Sequence, residues 1–215
     1  VTVRQLPRTG SALLRRMREP APPRPERCTF CGAGLPPGHR HLADTAERAL
    51  VCACTACVLL FQQPGAADGR YRAVPDRCLS DPGREPGEDT WRTLGIPVST
   101  AFLMLGTAPA RPVLCYPGPA GATESDLEPE TWRTAFAGNR LAALLEPDVE
   151  ALLLRRTHGR VRCFLVPVDR AYELVGRMRL HWRGFDGGSE AHAELDAFFA
   201  AVQERAVALP EETTP

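Results

Sequence analysis

The sequence predicts an α+β fold in which a small zinc-ribbon-like module precedes a mostly antiparallel sheet that ends in two C-terminal helices. Three observations carry this. Two C-x2-C pairs lie near the N-terminus, the middle of the chain is a series of short apolar runs bounded by Pro and Gly, and the last third shows a helical period. A chain of 215 residues, 44% apolar and 24% charged, belongs with globular proteins and can hold one ordinary domain plus an appendage.

In chain order, residues 1–26 read as a basic Pro/Arg-rich arm, with Arg4, Arg8, Arg15, Arg16, Arg18 and Arg24 against only Glu19 and Glu26. A short helix over 11–18 would stop at Pro20, and the following PAPPRPE should run extended. Residues 27–63 form the four-cysteine module, closed by a turn-rich joint, PGAADG, at 64–69. An α+β domain is expected over 70–208 and a disordered tail over 209–215. Within it, RYRAVPDRCLS reads as a strand and DTWRTLGI as a short helix. VSTAFLML and RPVLCY read as buried strands, and PETWRTAFAGNRLAALL as a helix broken near Gly138–Asn139. VEALLLRR and RVRCFLVPV should make a hairpin through a turn at THG. Asp169 is placed to cap a helix carrying Ala171, Leu174, Val175, Met178 and Trp182 on one face, ending at Gly184. Ser189 is placed to cap the last helix, with Ala191, Leu195, Phe198, Phe199, Val202 and Ala206 on its apolar face.

Five of the eight cysteines fall within RCTFCGAGLPPGHRHLADTAERALVCACTACVLLF, residues 27–61. Cys28 and Cys31, then Cys54 and Cys57 after a gap of about twenty residues, fit a four-thiolate zinc site. Each C-x2-C turn folds two thiolates onto one side of a tight loop, and Gly32 relieves the strain of the first. The same donors would suit rubredoxin-type iron or an iron–sulfur cluster. HRHLA and RALVCAC should pair about a turn at 44–47, setting His41 opposite Cys52 and His39 opposite Cys54. Cys52, His39 and His41 are therefore alternative ligands or groups bracing the ligands. A closed four-thiolate site has no open position, so its expected task is folding rather than chemistry.

Composition narrows the function classes. Every one of the 26 basic residues is Arg, which excludes a Schiff-base or P-loop lysine. The formal charge is zero, and with few aromatics in the module this counts against nucleic acid as a partner. The N-terminus lacks the apolar core of a signal peptide, and no apolar run reaches the ~20 residues of a membrane span, so a cytoplasmic address is expected. Cys115 and Cys163 sit within apolar strands and read as small core hydrophobes. Cys78 has no neighbour that marks it as a nucleophile. A Pro/Gly-rich loop at 116–126, with Thr123, Glu124 and Ser125, is the best candidate for an enzyme's pocket, and HWRGFDGG at 181–188 is the second. His181 and Arg183 read as helix-terminal charges, and no catalytic constellation emerges.

The motifs RCTFCGAGLPPGHRHL, LVCACTACVLLF, RYRAVPDR, LGIPV, YPGPAGATES, LEPDVEALL, FLVPVDRAYELVG and HWRGFDGG resemble an uncharacterised actinobacterial family encoded with high-affinity uptake NiFe-hydrogenase operons. The resemblance runs in order from about residue 26 to 200. It implies a hydrogenase-linked role in maturation, assembly or electron-transfer support, with hydrogenase subunits or maturation factors as partners. The reading that follows is a non-enzymatic, zinc-binding accessory protein; the alternatives are a nucleic-acid-binding zinc-ribbon regulator and an enzyme using the loop 116–126.

Overall fold

The computed structural model describes residues 25–63, 65–107, 110–184 and 187–211. Residues 1–24 of the expected arm and 212–215 of the expected tail lie outside them.

Two sheets organise the described chain. The small sheet contains β1 (Arg40–Asp44), β2 (Ala49–Ala53) and β3 (Tyr71–Ala73), in the order β2-β1-β3 and antiparallel throughout. A short helix, α1 (Thr55–Phe61), follows β2. The large sheet contains β4 (Leu79–Ser80), β5 (Thr100–Leu105), β6 (Pro112–Gly118), β7 (Gly121–Asp126), β8 (Glu150–Thr157), β9 (Arg160–Pro167) and β10 (Val207–Ala208). Its order is β10-β4-β9-β8-β5-β6-β7, and only the β10–β4 pair is parallel. The α+β class with a mostly antiparallel sheet and C-terminal helices is therefore as expected.

The large sheet is buried on both faces, which is why its central strands read as unbroken apolar runs rather than as alternations. Phe102, Cys115, Ala151, Leu153, Phe164 and Val166 face α5 (Val168–His181) and α6 (Gly188–Arg205). Leu103, Leu114, Leu152, Leu154, Cys163 and Leu165 face the other way. There they meet Trp91 of α2 (Glu88–Thr93), Phe136 at the end of α3 (Pro129–Ala135) and Leu141 of α4 (Arg140–Leu144). The helix break at Gly138–Asn139 is real: Gly138 has φ 71°, and the Asn139 side chain accepts from the Ala142 amide at 2.9 Å, capping α4. The β8–β9 hairpin closes through His158 and Gly159, both at positive φ, as a tight two-residue turn requires.

Four local expectations change. RYRAVPDRCLS is not one strand: its first part is β3 of the small sheet, its last part β4 of the large one, and the prolines and loop between them separate the two. The stretch 116–126 is not a loop. It is most of the β6–β7 hairpin, because Gly118–Gly121 makes the turn and Thr123, Glu124 and Ser125 pair with β6 as an exposed edge strand. Asp169 does not cap α5; the helix starts two residues earlier, directly off β9 at Pro167. Ser189 likewise yields to Gly187, whose φ of 93° turns the chain into α6 where a Cβ would press on Ala191 and Trp182.

The small sheet packs against the large body. Ala43, Val74, Val149 and Val168 form a shared apolar cluster with Leu50, Met104 and Tyr172 beside it. Around it, Arg72 donates to the Pro147 carbonyl at 2.5 Å and Arg48 to Glu124 at 3.1 Å. Arg77, four residues beyond β3, holds the fully buried Glu150 in a bidentate pair at 2.6 and 2.8 Å. At the far end, Leu209 and Pro210 are tied down: the Leu209 amide donates to Ser80 and Arg140 donates to the Pro210 carbonyl.

Candidate metal centre

Each C-x2-C pair is folded by its own backbone. In the first, the Cys28 amide donates to Ala33 O at 2.8 Å and the Gly32 amide to Cys28 O at 2.9 Å, with Gly32 at φ 71°. In the second, Cys54 is the N-cap of α1 and the Val58 amide returns to Cys54 O at 3.0 Å, so Cys57 lies in the helix's first turn. A bond from the Thr29 amide to Cys52 O at 2.9 Å joins the first knuckle to β2.

The four Sγ atoms of Cys28, Cys31, Cys54 and Cys57 consequently lie within 4.8 Å of one another, with Cys31 and Cys54 3.7 Å apart. At a metal–sulfur distance of about 2.3 Å, a regular tetrahedron has sulfur–sulfur edges of about 3.8 Å. The donor set therefore fits a tetrahedral thiolate-bound ion, and the cluster could hold one. The thiols are not equivalent. Burial pushes Cys28 upward, but the amides of Cys54, Cys31 and Phe30 outweigh it and bring it down to about 6. Burial, then the neighbouring sulfurs, push Cys57 up to about 12. Underneath, Phe30, Phe61 and Tyr71 meet at centroid distances of 4.4–5.0 Å over Leu42, Ala53 and Val58. This apolar floor is small, as expected of a unit that needs a staple.

His39, His41 and Cys52 do not join the four thiols. The ladder places His41 opposite Cys52, as predicted; it begins at Arg40, so the predicted His39–Cys54 pair is not part of it. The three instead converge on one another, one ligand atom from each lying within 4.8 Å of the others. The His41 imidazole also reaches across to α5, its Nδ1 2.9 Å from Asp169 Oδ2. The sequence hid that contact because Asp169 stood where a cap belonged.

The isolated cysteines sit elsewhere. Cys115 and Cys163 are buried in opposite faces of the large sheet, and burial pushes the Cys115 thiol up to about 12 and Cys163 higher still. Cys78 donates to the Val202 carbonyl at 3.7 Å, and burial raises it to about 11. All three are protonated at neutral pH, without thiolate character. Arg183 donates to the Leu180 and Trp182 carbonyls, closing the end of α5 as predicted for a helix-terminal charge.

Comparison with protein families adds a boundary to this geometry: a family model matches residues 27–206. The chain belongs to DUF5947, a family of unknown function. The DUF5947 match begins one residue before the first cysteine of the cluster and ends just past α6, so it takes in the small sheet and all of the large one except β10. No curated protein matches the chain, and no solved structure does. Among the described residues, no helix is long and apolar enough to cross a membrane.

Proposed function

We propose that this DUF5947 protein is a non-enzymatic, zinc-binding accessory protein. The observation that carries the reading is the convergence of four thiols within 4.8 Å of one another on a unit with a small apolar floor. Cys28, Cys31, Cys54 and Cys57 are its ligands, and the closed shell leaves no place for a substrate, so the ion's work is to fix the two knuckles and α1. A unit made of residues 27–63, extended by β3, then presents a formed surface to a protein partner. Leu59 and Leu60 lie exposed on α1 beside the cluster and suit such a contact. The resemblance to proteins encoded with uptake hydrogenases supports hydrogenase subunits or maturation factors as that partner, and a cytoplasmic setting keeps the thiols reduced.

Metal analysis of the purified chain tests the first part. Cys28→Ser and Cys57→Ser should each lose the four-thiolate ion and lower the melting temperature; a Cys28→Ser protein with full metal and wild-type melting would end the assignment. Iron in place of zinc would point instead to electron transfer. Affinity purification from the native host at moderate salt tests the second part. Hydrogenase subunits or maturation factors should co-purify, whereas nucleic acid alone would favour a regulator.

A further inference from the structure

His39 stands one residue before β1, its ring 4.8 Å from that of His41, and cross-strand pairing brings Cys52 of β2 opposite His41. Hydrogen bonding fixes what each ring offers. His41 directs Nδ1 at Asp169 Oδ2, 2.9 Å away, and His39 directs Nδ1 at the Pro36 carbonyl and Glu26, each 3.3 Å away. A proton on Nδ1 leaves the lone pair on Nε2 in both rings. The His39 side chain is only 7% exposed, and its Nε2 is buried with no hydrogen-bond partner among the described residues. A buried ring nitrogen without a partner is costly unless something occupies it.

We infer that His39, His41 and Cys52 form a second metal site, separate from the four-cysteine cluster, taking a zinc-class divalent ion through two Nε2 atoms and one thiolate. Two imidazoles and a thiolate are donors of intermediate softness that suit such ions. The Asp169–His41 contact is the carboxylate–histidine arrangement that orients a ligating ring. One ring nitrogen from each histidine and the Cys52 sulfur lie within 4.8 Å of one another, against about 3.3–3.6 Å around a bound ion, so side-chain rotations complete the site. Three protein ligands leave a fourth position. His39 and His41 also line a cavity of about 400 Å³ between β1 and α5, with Asp169, Arg170, Glu173 and Arg205, which gives small molecules a way to the two rings. The second site therefore accepts a donor from outside, which a closed four-thiolate site cannot.

Titration of the reduced, metal-free full chain with cobalt(II), read by visible absorption and by metal content after desalting, tests this. The wild type should bind two equivalents with two distinct sets of bands, and azide should shift only one set. His39→Gln and Cys52→Ala should each bind one equivalent and keep the four-thiolate spectrum, whereas Cys28→Ser should keep the azide-sensitive set. A wild type that saturates at one equivalent and shows only the four-thiolate bands overturns the second site whatever the variants do. So does a Cys52→Ala protein that still binds two. Two equivalents with no azide response would overturn the open position. Loss of the four-thiolate spectrum alone would instead sink the proposal for the first cluster.

Discussion

Asp44 shows how a single buried carboxylate organises the small sheet. It is almost wholly buried at the end of β1, receives Arg70 through two bonds of 2.8 and 2.6 Å, and accepts the amides of Ala46 and Glu47 in the turn to β2. The Arg70 guanidinium holds its carboxyl below the usual range, against the upward push of burial. A lowered folded pKa means that the stabilisation is present above the unfolded value, about 3.9, and is lost as pH falls through the folded one. Asp44→Asn should cost about 1–3 kcal/mol at pH 7. Urea denaturation should show the gap to wild type narrowing steadily below pH 4. Cys115→Ala, by contrast, removes one buried sulfur from a packed face and should cost about 1 kcal/mol with metal content unchanged. At this scale the sequence was legible where residue type dictates chemistry. The four thiols were found by spacing alone, and Cys115 and Cys163 by their apolar flanks. Asp44–Arg70 and His41–Asp169 were not, because each joins residues brought together only by folding.

At the scale of elements, the period of the pattern decided what could be read. The β8–β9 hairpin and α5 and α6 are long and patterned, and they stand close to where the sequence puts them. Short pieces were misread. The β6–β7 hairpin passed for a loop because β7 is an edge strand whose Thr123, Glu124 and Ser125 are exposed, leaving no apolar alternation to see. Its acids have a use there. Glu124 pairs with Arg48 and Asp126 with Arg111, so the free edge carries charge that discourages pairing with another chain. Glu124→Val combined with Asp126→Val should leave the melting temperature within a few degrees of wild type but promote self-association, measurable by light scattering across a concentration series. A double variant that stays monodisperse would remove the edge-protection argument. The opposite edge is β10, only two residues long, and offers little to pair with.

For the whole molecule, the two sheets have different sources of stability. The large sheet is packed on both faces by helices, whereas the small one rests on a few side chains and its thiols. Chelation of reduced protein should therefore release amide protection across residues 28–61 while β5, β8 and β9 stay protected, as hydrogen exchange would show. Equal loss in both regions would mean that the metal stabilises the entire fold. The bipartite character was visible in the sequence as a cysteine-rich start and an apolar middle. The docking of the two parts was not, since it depends on Val74, Val149 and Val168, which are far apart in the chain and individually unremarkable.

The connection from β3 to the large sheet has a mechanical consequence. Ala73 ends β3 and Arg77 is clamped on Glu150, so the tether between them spans at most about 14 Å. With Val74 of that tether packed against Val149 and Val168, the small sheet is moored to the start of β8 and cannot travel as a free module.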